Sequence, residues 1–147
     1  MPQPTITVRL RGGLGNQLFQ YAAAFAVAQH HAATLLLDTS FLLLDNERRY
    51  ELRALSISAR LATPEELLAI HQNVGRLASF VHPAPAATRL RLRFNRLLLR
   101  RRFHYLHDHE RGFQPELFDR TGDLYLAGTW ASEKYFADQR PALLREF

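Results

Sequence analysis

With 147 residues, 47% of them apolar and 22% charged, the chain is long enough to bury one ordinary core and too evenly mixed for wholesale disorder. The absence of cysteine excludes a disulfide framework and a thiolate metal site, and a reducing cytoplasm is the expected setting. The basic side chains number 19 against 14 acidic ones, a net charge of +5, and all but Lys134 are arginine; that surface suits phosphate-bearing partners, but a coding bias toward Ala, Leu and Arg is the plainer explanation.

From Thr5 to Leu10, Ile6, Val8 and Leu10 alternate with polar side chains at the period of a half-buried strand. The glycine loop Arg11-Gly12-Gly13-Leu14-Gly15 follows. Leu18, Phe19, Ala22, Phe25, Ala26 and Gln29 then recur at helical spacing, predicting a helix over 16–31 with Asn16 as N-cap. Unpaired N–H groups and the macrodipole make such a helix start an anion site, so Gly12, Gly13, Gly15, Asn16 and Gln17 are candidate binding residues. The spacing matches neither a P-loop nor the dinucleotide fingerprint, and a tight turn with no ligand accounts for the glycines as well. Thr34 to Leu37, ending at Asp38, reads as a second buried strand. Strand, helix and strand make a βαβ unit on a parallel sheet, whose ligands gather outside the carboxyl ends of the strands. Asp38 is expected to begin the next loop or cap the next segment.

Residues 39–61 carry mixed patterning and no functional signal. Thr63-Pro64-Glu65-Glu66 supplies an N-cap, a proline at the first helical position and a glutamate at the third, predicting a helix from Pro64 to about Gly75. Glu65 and Glu66 are expected to cap it and offset its dipole. Val81 to Thr88 reads as a loop. Over Arg89 to Arg102, Leu90, Phe94, Leu97 and Leu98 share one stripe of a basic amphipathic helix and Arg89, Arg93, Arg96 and Arg100 share another. That basic face is solvated, or else makes peripheral contact with an anionic membrane; no motif for nucleic acid accompanies it.

Phe103, Tyr105 and His107 alternate as on a strand, which turns His104 away from His107 and His109, so no metal site is expected. A buried strand over Leu124 to Ala127 ends at Gly128, and Thr129 or Ser132 is expected to cap a helix through Tyr135 and Phe136. Trp130 and Tyr135 suit either sugar stacking or core packing. Arg140 to Phe147 reads as a helix start with Pro141 in its first turn. The first five residues lack the basic start and apolar core of a signal peptide, and no run reaches the roughly 18 apolar residues of a membrane span.

Two of these segments carry a family likeness. Gly12-Gly13-Leu14-Gly15-Asn16-Gln17-Leu18-Phe19-Gln20-Tyr21-Ala22 resembles the opening motif of the α-1,2-fucosyltransferases, glycosyltransferase family 11. Gly128-Thr129-Trp130-Ala131-Ser132-Glu133-Lys134-Tyr135-Phe136 is similar to a second motif of that family, with Thr129 where an aromatic is usual and Ala131 where glutamine is usual. Leu35 to Asp38, Tyr50-Glu51-Leu52 and Phe113-Gln114-Pro115-Glu116-Leu117 also fall where the family has similar short segments. The family's His-x-Arg-Arg-Gly-Asp segment, which holds the guanosine diphosphate of the donor, does not occur in these residues.

The resemblance implies an α/β domain with a mainly parallel, Rossmann-like sheet, with residues 1–147 forming the N-terminal lobe of a GT-B-like glycosyltransferase. It implies an inverting galactoside 2-α-L-fucosyltransferase that takes GDP-fucose as donor and a β-galactoside as acceptor, needs no metal or other cofactor, and is inactive as this lobe alone. Gly12, Gly13, Gly15, Asn16 and Gln17 would line the donor or acceptor cleft, and Trp130, Glu133, Lys134 and Tyr135 would contact the acceptor. A glycan- or nucleotide-binding module without turnover, or a degenerate inactive gene product, is the alternative reading.

Overall fold

Among the described residues five short strands carry the fold: β1 (Thr5–Arg9), β2 (Thr34–Asp38), β3 (Arg60–Leu61), β4 (Phe103–His107) and β5 (Asp123–Ala127). They lie in the order β3-β2-β1-β5-β4, and every neighbouring pair is parallel. Helix α1 (Leu14–His30) links β1 to β2, α2 (Pro64–Val74) follows β3, and α3 (Arg140–Glu146) closes the chain. The architecture is α/β and Rossmann-like. The computed structural model describes residues 3–74, 103–108 and 112–147; the expected loop at 81–88, the arginine-faced helix bearing Arg89, Arg93, Arg96 and Arg100, and His109 lie outside the described residues. Among the described residues no helix is long and apolar enough to cross a membrane.

β1 sits where its alternation placed it, and β2 and β5 where their apolar runs did, because the face of these three strands under α1 is apolar. Ile6, Val8 and Leu10 join Leu35, Leu37, Leu124 and Leu126 in one core cluster, and α1 covers them with Tyr21, Phe25 and the alanines 22–24. At ~25 cal/mol per Å² removed from water, such a face helps fix strand register, since a one-residue slip would put Thr7, Tyr125 and Asp38 of the opposite, also buried, face in its place. Small alanines let the helix axis approach the sheet. The outer side of α1 is buried as well. Tyr21 donates to Glu146 Oε2 of α3 at 2.5 Å, and the same oxygen accepts the Ser58 N–H at 2.6 Å, clamping α3 over α1. A helix covered all round has little need for the narrow amphipathic stripe that sequence periodicity seeks.

Three elements depart from expectation. Helix α1 begins at Leu14 with Gly13 at its N-cap, two residues before the predicted start, and no side chain caps it. Asn16 is therefore in its first turn, and the free loop is only Arg11, Gly12 and Gly13. Tyr135 and Phe136 do not continue a helix: Glu133–Tyr135 and Ala137–Gln139 are separate 3-10 turns, and Ser132 makes no capping bond. Strand β3 had no signal, because two exposed residues on a sheet edge carry no period. Helix α2 starts as its motif requires: the Glu66 N–H donates to Thr63 Oγ1 at 3.2 Å and Glu66 Oε2 accepts the Thr63 N–H at 2.8 Å, a reciprocal capping box.

Candidate functional site

Two chain directions meet at β1: β2 and β3 extend the sheet on one side, β5 and β4 on the other. In open α/β sheets ligands bind outside the carboxyl ends of the strands at such a reversal. The glycine loop leaves β1 there, and Gly128 leaves its neighbour β5 there. Gly12 has φ +73, and a Cβ on it would stand 2.4 Å from Asn16 Nδ2, so the loop needs glycine for conformation and for room. Gly15, by contrast, faces open space.

Gln17 and Gln20 hold this loop, and both side chains have no exposed surface. Gln17 Nε2 donates to the carbonyls of Gly12 at 2.9 Å and Arg49 at 2.7 Å, and its Oε1 accepts the Glu51 N–H at 3.0 Å. Gln20 Oε1 accepts the Arg11 N–H at 3.0 Å while its Nε2 donates to the Gly128 carbonyl at 2.9 Å. Gln17 is thus a buried strut, correcting the expectation that its side chain lines the ligand cleft. Gln20 was missed as a site residue. Its signal was a second amide three residues from Gln17 on an otherwise apolar helix, which places both on one buried face.

The struts draw the separated segments together. Gln17 joins the loop to Tyr50-Glu51-Leu52, Gln20 joins it to Gly128, and the Gln114 N–H donates to Tyr135 Oη at 2.9 Å. What remains open are the first amides of α1. The N–H groups of Leu14, Gly15 and Asn16 make no hydrogen bond among the described residues, and the three residues are exposed. Arg48 lies beside them: a Cβ built on Gly13 would be 3.4 Å from its Nη1. A guanidinium at a helix N-terminus opposes the dipole unless an anion lies between them, so the pair forms a cradle for negative charge.

On the sheet face opposite α1, polar groups collect at the same edge. Asp38 is fully buried; its Oδ1 accepts the Ser40 N–H at 2.8 Å, turning the chain into the next loop as expected. Its Oδ2 accepts the Tyr125 hydroxyl at 2.6 Å and lies 3.9 Å from His71 Nε2. Burial, then the Asp38 charge and hydrogen bond, raises the Tyr125 pKa, and burial lowers that of His71 against the opposing pull of Asp38. Tyr105 stacks on Tyr125 with centroids 5.6 Å apart. His104 faces away from His107 across β4, and no group of three potential metal ligands occurs among the described residues.

The second motif is more enclosed than expected. Trp130 is 1% exposed, with φ +53, and rests edge-on against Tyr135 at 5.6 Å. Its backbone N–H donates to Asp108 Oδ2 at 2.7 Å, and the Thr129 hydroxyl donates to the same oxygen at 3.0 Å. This carboxylate holds the left-handed backbone that a non-glycine residue otherwise resists by ~1–2 kcal/mol. Sugar stacking on Trp130 is closed off by its burial, a correction to the expected acceptor contact. Tyr135 is also buried, its pKa raised by burial, whereas Glu133 and Lys134 are exposed.

Over 82 residues the chain is 43% identical to the O-antigen biosynthesis glycosyltransferase WbnK of Escherichia coli. The match takes in 49% of this chain and 27% of that protein, so the chain spans about a quarter of the length of the curated relative it matches. No family model matches the chain, and no solved structure does. The similarity is to a bacterial glycosyltransferase.

Proposed function

We propose that this chain is the N-terminal lobe of an inverting galactoside α-1,2-fucosyltransferase, with its glycine loop forming one wall of the GDP-fucose cleft. The observation that carries the reading is the joining of the resemblance segments at one sheet edge by Gln17 and Gln20, beside the exposed amides of Leu14, Gly15 and Asn16. The glycosyltransferase relative supports the transferase class. The opposite wall belongs to the remainder of a longer protein, as the 27% coverage of that relative allows. The relative's part in O-antigen biosynthesis makes a polysaccharide galactoside the natural acceptor.

In the reaction the acceptor 2-hydroxyl oxygen bonds to the fucose C1 as the bond from C1 to the diphosphate oxygen breaks, and the acceptor proton passes to a base. Charge accumulates on the departing GDP. Preorganised N–H groups and cations are what stabilise such charge. Here those are the amides of residues 14–16 and the Arg48 guanidinium, with Asn16, exposed in the same turn, placed to bond a ligand hydroxyl. No metal is needed on this reading, because arginines neutralise the diphosphate.

The test uses the longest open reading frame that contains the chain, assayed with GDP-fucose and a β-galactoside. Asn16→Ala is expected to lower kcat/KM at least tenfold with the melting temperature unchanged. An unaltered rate and donor affinity removes Asn16 from the site. Failure to transfer fucose to any galactoside, with GDP still bound, favours the module without turnover.

A further inference from the structure

Beside the second motif lies a cavity of about 270 Å³ bounded by Asp108, Gly112, Thr129, Ala131, Ser132 and Tyr135. We propose that it is a subsite for a single pyranose ring of the glycan acceptor; the ligand class rests on the transferase reading above. Size decides first. The space is enough for one sugar ring. It also falls just under the ~300–1,000 Å³ of sites for drug-sized ligands.

Chemistry agrees. A pyranose offers hydroxyls that donate and accept in turn, together with an apolar C–H face. The wall supplies the Ser132 hydroxyl and the Tyr135 side chain, beside the Thr129 hydroxyl that donates to the Asp108 carboxylate. The Ser132 hydroxyl caps no helix and makes no hydrogen bond among the described residues. The cavity's position fits an acceptor beside a donor: Asp108 follows β4 and Thr129 follows β5, the strand next to β1. Ala131 is exposed at the rim, so its single methyl leaves the mouth open.

Saturation-transfer NMR on the chain, with methyl β-D-galactopyranoside, methyl α-L-fucopyranoside and GDP as separate probes, tests the assignment. The galactoside is expected to receive saturation. Ala131→Trp, which plugs the mouth from an exposed position, should weaken its binding at least tenfold with an unchanged melting temperature and unchanged GDP binding, and Ser132→Val should weaken it in the same direction. Galactoside binding that survives both variants, or no galactoside binding at all, overturns the proposal. Saturation of the fucoside alone overturns the acceptor assignment and makes the ring the donor's. If the open reading frame transfers no fucose while the galactoside still binds and Ala131→Trp abolishes that binding, the subsite stands and the fucosyltransferase reading falls.

Discussion

Replacing Gln20 by leucine removes both arms of a buried strut at nearly constant volume, so little cavity energy enters. The Arg11 N–H loses its acceptor at 3.0 Å and the Gly128 carbonyl loses its donor at 2.9 Å, in a place where Gln20 has no exposed surface for water to reach. An orphaned buried group costs ~1–3 kcal/mol, giving ~2–6 kcal/mol for the pair. At ~2–4 °C per kcal/mol for a chain of this size, the melting temperature should fall by roughly 5–20 °C in a circular-dichroism melt. Gln20→Glu divides the effect: the carboxylate still accepts from Arg11 but faces the Gly128 carbonyl with a second negative oxygen. That variant should be destabilised near neutral pH and recover part of the loss in acid, where a protonated carboxyl donates again. A Gln20→Leu chain that loses less than ~1 kcal/mol would refute the orphaned-group reasoning.

Glycine substitutions separate backbone need from mere sequence presence. Gly128→Ala puts a Cβ 2.4 Å from Asp108 Cβ and 2.9 Å from its backbone nitrogen at φ +134, so a loss of roughly 2–5 kcal/mol is expected in chemical denaturation. Gly15→Ala, facing open space inside a helix, should leave stability unchanged or raise it by up to ~1 kcal/mol. Thr63→Ala removes the cap on Glu66 and should cost ~0.5–2 kcal/mol in the same assay. His71 gives a pH signature. Burial lowers its pKa, so as pH falls below about 6.5 the unfolded chain takes up a proton that the folded chain refuses. Stability is full above that pH and declines toward the lowered folded value; in His71→Gln, melts from about pH 7 to 5 should show a shallower decline, with the lowered His31 among the groups that keep some slope.

The legible parts of the fold were those in which local pattern and tertiary burial agree. β1 alternates and β2 and β5 are short apolar runs, all three packed under α1, and the capping box of α2 needs only four neighbouring residues. The start of α1 was misplaced because Asn16 is a good N-cap in isolation, whereas Gly12 takes the positive φ that ends the loop and frees the helix to begin at Leu14. The turn at Glu133–Tyr135 looked helical because residue spacing cannot report that Trp130 is held in a left-handed conformation by Asp108, 22 residues away. The same non-locality hid the site's supports. Gln17 and Gln20 read as polar positions of a motif; their partners at Arg49, Glu51 and Gly128 exist only once the sheet forms. Arg48 carried no local signal at all.

The most direct measurement is a titration with GDP of the isotopically labelled product of the open reading frame that contains the chain, followed through its backbone amide resonances. The account predicts the largest shifts at Leu14, Gly15 and Asn16, with binding weakened at least tenfold in Arg48→Ala. Shifts confined to the opposite, amino-terminal edge of the sheet, where a separate cavity is lined by Gln3, Gln29 and Arg60, would contradict it.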